Sequence, residues 1–166
     1  MKCSICGARH EVLDPTFRRP EAVVSLPEAE RARRVQENDD LCMIRPHGSE
    51  ELARCFVRCT LKVEVHDSEQ DAMWGLWAEV TPGDFQRIVE RWSDPGQVEE
   101  APMSAVIANR ILGYPDTLGL PVTLRLTGPT LRPALLVKPD TGHPFAVECL
   151  AGVSGHRVME WLERLR

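Results

Sequence analysis

The sequence predicts an α+β fold in which an antiparallel sheet of about five strands packs against helices. Two observations lead to this prediction. Apolar and polar residues alternate almost strictly over 54–66, which is typical of a strand buried on one face. The other strand-like segments follow one another through short turns, with helical segments inserted and appended and no βαβ repeat. A doubly wound parallel sheet is therefore not expected.

Length and composition indicate one domain. The chain has 166 residues, 43% of them apolar and 27% charged, which is enough for a substantial core without disulfides. We expect a single domain over 1–166, in which residues 1–24 form a knuckle and an irregular lead-in and residues 25–166 form the α+β body. Six cysteines in such a chain are more typical of metal ligands or buried thiols than of disulfides.

The charge and hydropathy pattern excludes several partners. The formal charge of −5 comes without the basic stripe of nucleic-acid-binding proteins, and the cluster 31–34 is interleaved with glutamates, as in a solvated helix face. No segment approaches the about 20 apolar residues of a membrane span, and no signal-peptide core is found near residue 1. We therefore expect a cytoplasmic protein without a nucleic-acid or membrane partner.

The first predicted elements are a surface helix and a short strand. Ser25 is the expected N-cap of a helix over about 27–37, with Glu28 at the capping-box position. Asn38-Asp39-Asp40 ends this helix, and 41–45 reads as a strand.

The long strand at 54–66 places one set of side chains on a buried face. Cys55 and Cys59 belong to that set, but same-face residues four apart lie about 13 Å from each other, which is too far for a disulfide. We expect both to be core side chains, as is Cys149. The next strand, over 73–80, contains Trp74 and Trp77, which are three residues apart and so point to opposite faces. An exposed tryptophan there would suit a protein-binding surface.

The second half alternates between helices and strands. Thr81-Pro82-Gly83-Asp84 predicts a helix start, and Asp94-Pro95-Gly96 its end. Residues 103–112 favour a strand or an irregular crossing, whereas 122–127 and 133–138 read as partner strands. A short helix is expected after His143-Pro144, and the last helix has Ser154 as its N-cap. The apolar stripes of the two longer helices are formed by Phe85, Ile88, Val89 and Trp92 and by Val158, Trp161, Leu162 and Leu165.

One motif combines residue type and spacing in a way that suggests specific chemistry. Cys3 and Cys6 are three positions apart and are followed by Gly7, which is the pattern of a zinc knuckle. His10 is the third candidate ligand by proximity and Cys42 the fourth, if its strand begins beside the knuckle. His47 and His143 are more distant options for a ligand. The competing interpretation is a pair of reduced thiols in a turn. A redox dithiol is disfavoured because no strand precedes the motif.

Several short motifs together resemble a known family. They are Cys3-x-x-Cys6-Gly7 with His10, Asp40-Leu41-Cys42, Trp74-Gly75-Leu76-Trp77, Gly113-Tyr114-Pro115, Arg132-Pro133 and His143-Pro144. On these residues the chain resembles, over nearly its whole length, the bacterial family catalogued as domain of unknown function 2199. The resemblance implies a small bacterial protein of unassigned activity, so it carries over no catalytic residue. Cys55 and Cys59 do not belong to its pattern.

Two hypotheses of function follow. The first is a non-catalytic binding or regulatory protein with a structural zinc site of four protein ligands and a protein partner. The second is a small zinc-dependent enzyme, in which Cys3, Cys6 and His10 hold the metal, water occupies the open position, and Glu11 or Asp14 supplies the carboxylate. No nucleophile elbow or phosphate-binding glycine loop is found in the sequence, and Asp140-Thr141-Gly142 reads as a turn. We therefore prefer the first.

Overall fold

The computed structural model describes residues 14–49 and 51–165, which form a mixed α+β fold. Apart from two short 3-10 turns, these residues form five α-helices and seven strands. The helices are α1 (Glu21–Val24), α2 (Glu28–Arg34), α3 (Pro82–Arg91), α4 (Pro144–Ala151) and α5 (Gly155–Arg164). The strands are β1 (Val35–Glu37), β2 (Leu41–Ile44), β3 (Arg54–Val63), β4 (Ala72–Val80), β5 (Met103–Ile107), β6 (Pro121–Arg125) and β7 (Ala134–Val137). None of the helices in the described ranges has the length and apolar character needed to cross a membrane.

The sheet closes into a barrel. Strands β3 to β7 pair in chain order, each antiparallel to the next, and β7 then returns to β3. The closing contact is parallel and is centred on Thr60 and Ala134. It has to be parallel, because in an up-and-down barrel with five strands the first and the last run in the same direction. Strands β1 and β2 extend the sheet beyond β3.

The prediction of an open sheet against helices was therefore wrong in its architecture, although the α+β class and the antiparallel strand order are confirmed. An alternating pattern indicates which face of a strand is buried. It contains no information on whether the two ends of the sheet meet, which depends on strand tilt and stagger.

The predicted surface helix is shorter than expected and begins later. Helix α2 ends at Arg34, and the following residues form β1. Ser25 does not cap α2. It ends α1 instead, with its hydroxyl donating to the Glu21 carbonyl at 2.9 Å. Leu26 precedes Pro27, and a residue before proline is disfavoured in the helical region, so a helix that begins at Ser25 would be interrupted at once.

The barrel interior contains the predicted buried face of β3. Cys55 and Cys59 both lie there, as does Trp74 of β4. Helices α4 and α5 each supply an aromatic residue that packs on Trp74. The ring of Phe145 lies 5.7 Å from Trp74 and that of Trp161 lies 5.0 Å from it, between centroids.

A second apolar cluster lies on the outer face of β2, β3 and β4. Phe56 and Trp77 form its centre, and Val23 of α1 packs onto them. The opposite orientation of Trp74 and Trp77 is thus confirmed. Neither tryptophan is exposed, so the interpretation of this strand as a binding surface with an aromatic anchor does not apply.

The helix boundaries of the second half agree with the sequence. Thr81 and Ser154 cap α3 and α5, accepting hydrogen bonds from the backbone N–H groups of Asp84 and Arg157. The stripe of α3 is narrower than predicted, because Ile88 is buried but Val89 remains 45% exposed. Phe85 and Trp92 are partly buried and pack against the barrel core on either side of Ile88, so the helix contacts the barrel along the rest of the predicted stripe.

The lead-in segment completes the edge of β4. Strand β5 pairs with β4 only at Ala78 and Glu79, which leaves the first half of β4 without a neighbour on that side. The segment from Asp14 to Phe17 occupies this position. Gly75 donates to the Pro15 carbonyl at 2.8 Å and accepts from the Phe17 N–H at 2.9 Å.

Side chains satisfy two further donors on the same edge. The Asp14 carboxylate accepts from the Met73 N–H at 2.9 Å, and the Asn109 amide oxygen accepts from the Trp77 N–H at 2.7 Å. The Asn109 amide group also donates to the Arg19 carbonyl at 2.9 Å. The edge of β4 thereby fixes where the chain enters α1.

We expect Gly75→Ala to lower the free energy of unfolding by about 1–3 kcal/mol, because overpacking at a tight contact forces backbone shifts. A Cβ atom at Gly75 would lie 2.7 Å from Thr16 Oγ1 and 3.0 Å from Thr16 Cγ2. Equilibrium unfolding in urea measures the change. Gly83→Ala in α3 is the matched control, since no atom lies within 4 Å of the added methyl group. Equal stabilities of Gly75→Ala and the wild type would contradict the role given to this contact.

Candidate ligand-binding cleft

Three of the four predicted metal ligands, Cys3, Cys6 and His10, lie outside the described residues. The fourth, Cys42, lies on β2 in the outer apolar cluster. Its burial, reinforced by the negative charge of Glu37, raises the pKa of its thiol to about 12. It therefore packs as a small apolar side chain in the described part of the molecule.

The more distant candidate ligands are in separate surroundings. His47 is exposed and lies 3.6 Å from Glu30. His143 caps α4, its Nδ1 accepting from the Phe145 N–H at 3.2 Å. No group of three or more histidine, cysteine, aspartate and glutamate side chains that could hold a metal occurs within 14–49 and 51–165. Asp14, one candidate carboxylate for a zinc enzyme, is hydrogen-bonded to β4 as described above.

The other described cysteines are core residues, as predicted. Cys55, Cys59 and Cys149 are buried. Burial raises the pKa of all three thiols, to about 12 for Cys149. A thiol is nucleophilic only as its thiolate, so these groups are not activated near neutral pH.

A cleft lies between α1 and the outer face of β3, β4 and β5. Its volume is about 540 Å³, within the range of small-ligand sites. The backbone N–H of Glu21 donates to the Ala108 carbonyl at 2.8 Å, which holds α1 beside the end of β5. The lining residues come from α1, three strands and the loop after β5. They include Glu21, Arg54, Phe56, Glu79, Val106 and Arg110.

One ion pair in the cleft is joined by two hydrogen bonds. The Arg54 guanidinium donates two hydrogen bonds to the Glu79 carboxylate, both 2.7 Å long, and lies 5.3 Å from the ring centroid of Phe56. The bonds to Glu79 raise the pKa of Arg54. Both charges are thus neutralised locally, and the aromatic ring beneath them restricts the arginine further.

Two other charges in the cleft are available to a ligand. Glu21 forms no ion pair with any residue in the described ranges. Arg110 lies 3.7 Å from Asp116, and both side chains are more than half exposed, so their attraction is weak. The cleft therefore presents one acidic and one basic group beside apolar surface from Val106.

Tyr114 of the Gly113-Tyr114-Pro115 motif belongs to a hydrogen-bonded network with residues of α4 and α5. The Tyr114 hydroxyl accepts from Trp161 Nε1 at 2.6 Å and donates to the Glu148 carboxylate at 2.6 Å. Arg157 donates to both oxygens of Glu148 at 3.0 Å and to the Tyr114 hydroxyl at 3.2 Å. This network joins the loop after β5 to α4 and α5.

The titration of the network follows from these contacts. Burial raises the pKa of Tyr114, and its bond to Glu148 raises it further. Burial alone would raise the pKa of Glu148, but the bonds from Arg157 and Tyr114 outweigh it and hold that pKa below the ordinary value. Glu148 and Arg157 therefore form a charged pair near neutral pH. The polar groups of this network bond to one another within the protein, which indicates a structural role.

Another pair of motif residues ties the strand extension to the barrel. Asp40, in the turn before β2, accepts from Arg132 Nε at 2.7 Å. Arg132 lies just before β7, so the bond joins the turn to the place where the barrel closes.

Sequence reasoning missed the cleft. Arg54 and Glu79 carry opposite charges on neighbouring strands, and their contact could have been inferred had the register of β3 against β4 been known. Glu21 and Arg110 gave no signal, because α1 and the loop after β5 meet only in the folded barrel.

The comparison with protein families identifies the chain as a member of one of them. The model of the family described as an uncharacterized protein conserved in bacteria (DUF2199) matches residues 2–153, nearly the whole chain. The chain therefore belongs to this family, as its motifs suggested. Neither the comparison with curated proteins nor that with solved structures gave a match.

We expect Tyr114→Phe to lower the free energy of unfolding by about 1–3 kcal/mol, because the buried Trp161 N–H would lose its acceptor. Urea unfolding monitored by circular dichroism measures the change. Trp161→Phe and the double variant complete a mutant cycle. The two substitutions should cost less together than the sum of their separate costs, since both remove the same hydrogen bond. Strict additivity would contradict this account.

Proposed function

We propose that this DUF2199 protein is a non-catalytic binding protein whose cleft receives a segment of a protein partner and whose N-terminal cysteines hold a structural zinc ion. The observation that carries the binding role is the cleft itself, in which Glu21 forms no ion pair with a described residue and Arg110 forms only an exposed, weak one with Asp116.

The chemistry of the cleft suggests what the segment contains. An apolar side chain of the partner would pack against Val106 and the apolar surface around it. A basic side chain would pair with Glu21, and an acidic one with Arg110. The ion pair of Arg54 and Glu79 would form part of the cleft wall and would attract a charged side chain only weakly, because its two groups already neutralise each other.

The support for zinc comes from the sequence. Cys3, Cys6 and Gly7 have the spacing of a knuckle, and His10 follows closely. Cys42 as fourth ligand requires that zinc displace the proton from a buried thiol, which a bound metal does readily. An N-terminal knuckle that leads into the segment paired with β4 would stabilise the entry to the barrel.

The cleft is tested with a capped tripeptide of lysine, leucine and glutamate. We expect it to shift the backbone amide resonances of the cleft residues in a titration followed by NMR. Arg110→Glu should abolish these shifts, because the acidic side chain would then meet a like charge. Arg125→Gln, an exposed arginine on β6 outside the cleft lining, is the control and should leave them unchanged.

Two results would contradict the binding role. One is the absence of shifts at the cleft with this tripeptide at millimolar concentration. The other is an equal response to a tripeptide in which lysine replaces the glutamate, since Arg110 would then not distinguish an acidic side chain from a basic one.

The zinc ion is tested separately by elemental analysis of the untagged protein. We expect about one zinc ion per chain, lost in a Cys3→Ser/Cys6→Ser double variant. Cys42→Ser should also lose the metal if Cys42 is the fourth ligand. Cys149→Ser makes the same change at a buried thiol outside the ligand set and should retain it. Wild-type protein without metal would refute the knuckle and leave the cleft unaffected.

A further inference from the structure

A basic pocket is formed where the end of α2 meets the turn after β2. Its lining consists of Arg33 and Arg34 from the helix and of Arg45, Pro46 and His47 from the turn. The volume is about 330 Å³. We propose that this basic pocket binds the phosphate group of a small ligand, a site distinct from the cleft, with which it shares no lining residue.

The arginine at the centre of the basic pocket is held in place. The Arg34 side chain is only 19% exposed, and its Nε donates to the Arg45 carbonyl at 2.9 Å. Its two terminal nitrogens lie 3.3 Å from Glu30 and 3.6 Å from Glu51. Fixing a guanidinium in this way removes much of the entropy loss that binding would otherwise require.

The two outer arginines are placed by bonds that leave other donors free. Arg33 pairs with Glu30 at 2.5 Å through one terminal nitrogen. Arg45 donates one hydrogen bond to the Arg33 carbonyl at 3.0 Å and forms no ion pair with any residue the structure describes. An arginine has five N–H donors, so each of these two retains several for a ligand.

The charge balance at the basic pocket favours an anion. No carboxylate belongs to the lining, and the two that lie beside it, Glu30 and Glu51, are engaged with Arg34. Three arginines against these two glutamates leave an excess of one positive charge, carried by Arg45. Glu51 also accepts from the His47 N–H at 2.9 Å, which fixes the turn. The glutamates therefore orient the cations without filling the basic pocket.

The size and donor geometry point to phosphate rather than to a larger polyanion. Guanidinium groups match phosphate oxygens with paired hydrogen bonds, which is why arginine is preferred for such sites. A volume of about 330 Å³ has room for a phosphate group and part of its ester. The formal charge of −5 over the whole chain would oppose a nucleic acid that extends beyond the pocket.

The test is calorimetric titration of the full chain in a low-salt buffer without phosphate, with inorganic phosphate and with O-phosphoserine as probes. We expect dissociation constants in the millimolar range or below for at least one of them. Arg45→Gln and Arg33→Gln should each weaken binding by about tenfold, the effect of losing a charged hydrogen bond. Arg125→Gln removes the same charge elsewhere and should leave the affinity unchanged.

The comparison of probes distinguishes the two sources of the phosphate group. Tighter binding of inorganic phosphate would support a site for the free ion, and tighter binding of O-phosphoserine a site for a monoester. Lack of binding by both at about 10 mM would overturn the proposal, as would equal weakening by Arg125→Gln. So would tight binding of a short DNA duplex that Arg45→Gln abolishes, because the surface would then serve a polyanion.

Discussion

The structure depends on how the hydrogen-bonding groups along one edge of β4 are satisfied. This strand is longer than the part of β5 that pairs with it, and unpaired backbone groups in the interior are costly. The lead-in segment supplies the missing partners at Gly75, and the side chains of Asp14 and Asn109 supply others. Gly75 makes this possible because the incoming chain lies directly against it.

The position of the lead-in segment determines much of what surrounds it. Phe17 stacks on Trp74 with ring centroids 6.2 Å apart, so the segment also contributes to the barrel core. The chain then crosses to the outer face and forms α1 above Phe56 and Trp77. Helix α1 covers only part of the outer face of β3, β4 and β5, and the cleft lies along the part that it leaves uncovered. A single backbone requirement thus produces both the second apolar cluster and the candidate site.

Local features of the fold could be predicted from the sequence wherever local chemistry decides them. The buried face of β3 follows from alternation, and the caps Thr81 and Ser154 from their side chains. The failures had tertiary causes or involved competing local signals. Ser25 has the residue type of a cap but is followed by Leu26-Pro27, and 35–37 pairs with β2 instead of continuing a helix. The closure of the sheet into a barrel could not be predicted from an alternating pattern of apolar and polar residues.

The candidate sites show the same limit more strongly. The cleft and the basic pocket both combine segments that are distant in sequence, and charge runs alone gave no indication of either. Arg33 and Arg34 were interpreted as part of a solvated helix face because glutamates surround them in the sequence. In the folded chain Glu30 does pair with both arginines along the helix, but Arg45 also approaches them from the turn after β2, which the helix sequence alone does not indicate. Cys42 was predicted as a ligand from its residue type. Its burial, which the sequence does not show, raises the pKa of the thiol, so a metal would have to displace a tightly held proton.

The parallel closure of the barrel makes one seam different from the others. Between β3 and β7 the Thr60 N–H donates to the Pro133 carbonyl at 2.9 Å, and Pro133 has no N–H that could extend this ladder by a further bond. The pairs β3–β4, β5–β6 and β6–β7 are each joined over four or more residues and β4–β5 over two, whereas this seam is joined at a single bridge between Thr60 and Ala134. We therefore expect this seam to open more readily than the longer ladders of the barrel. Among the barrel strands, amide hydrogen exchange should be fastest at the seam where β3, the first strand of the barrel, meets β7, the last.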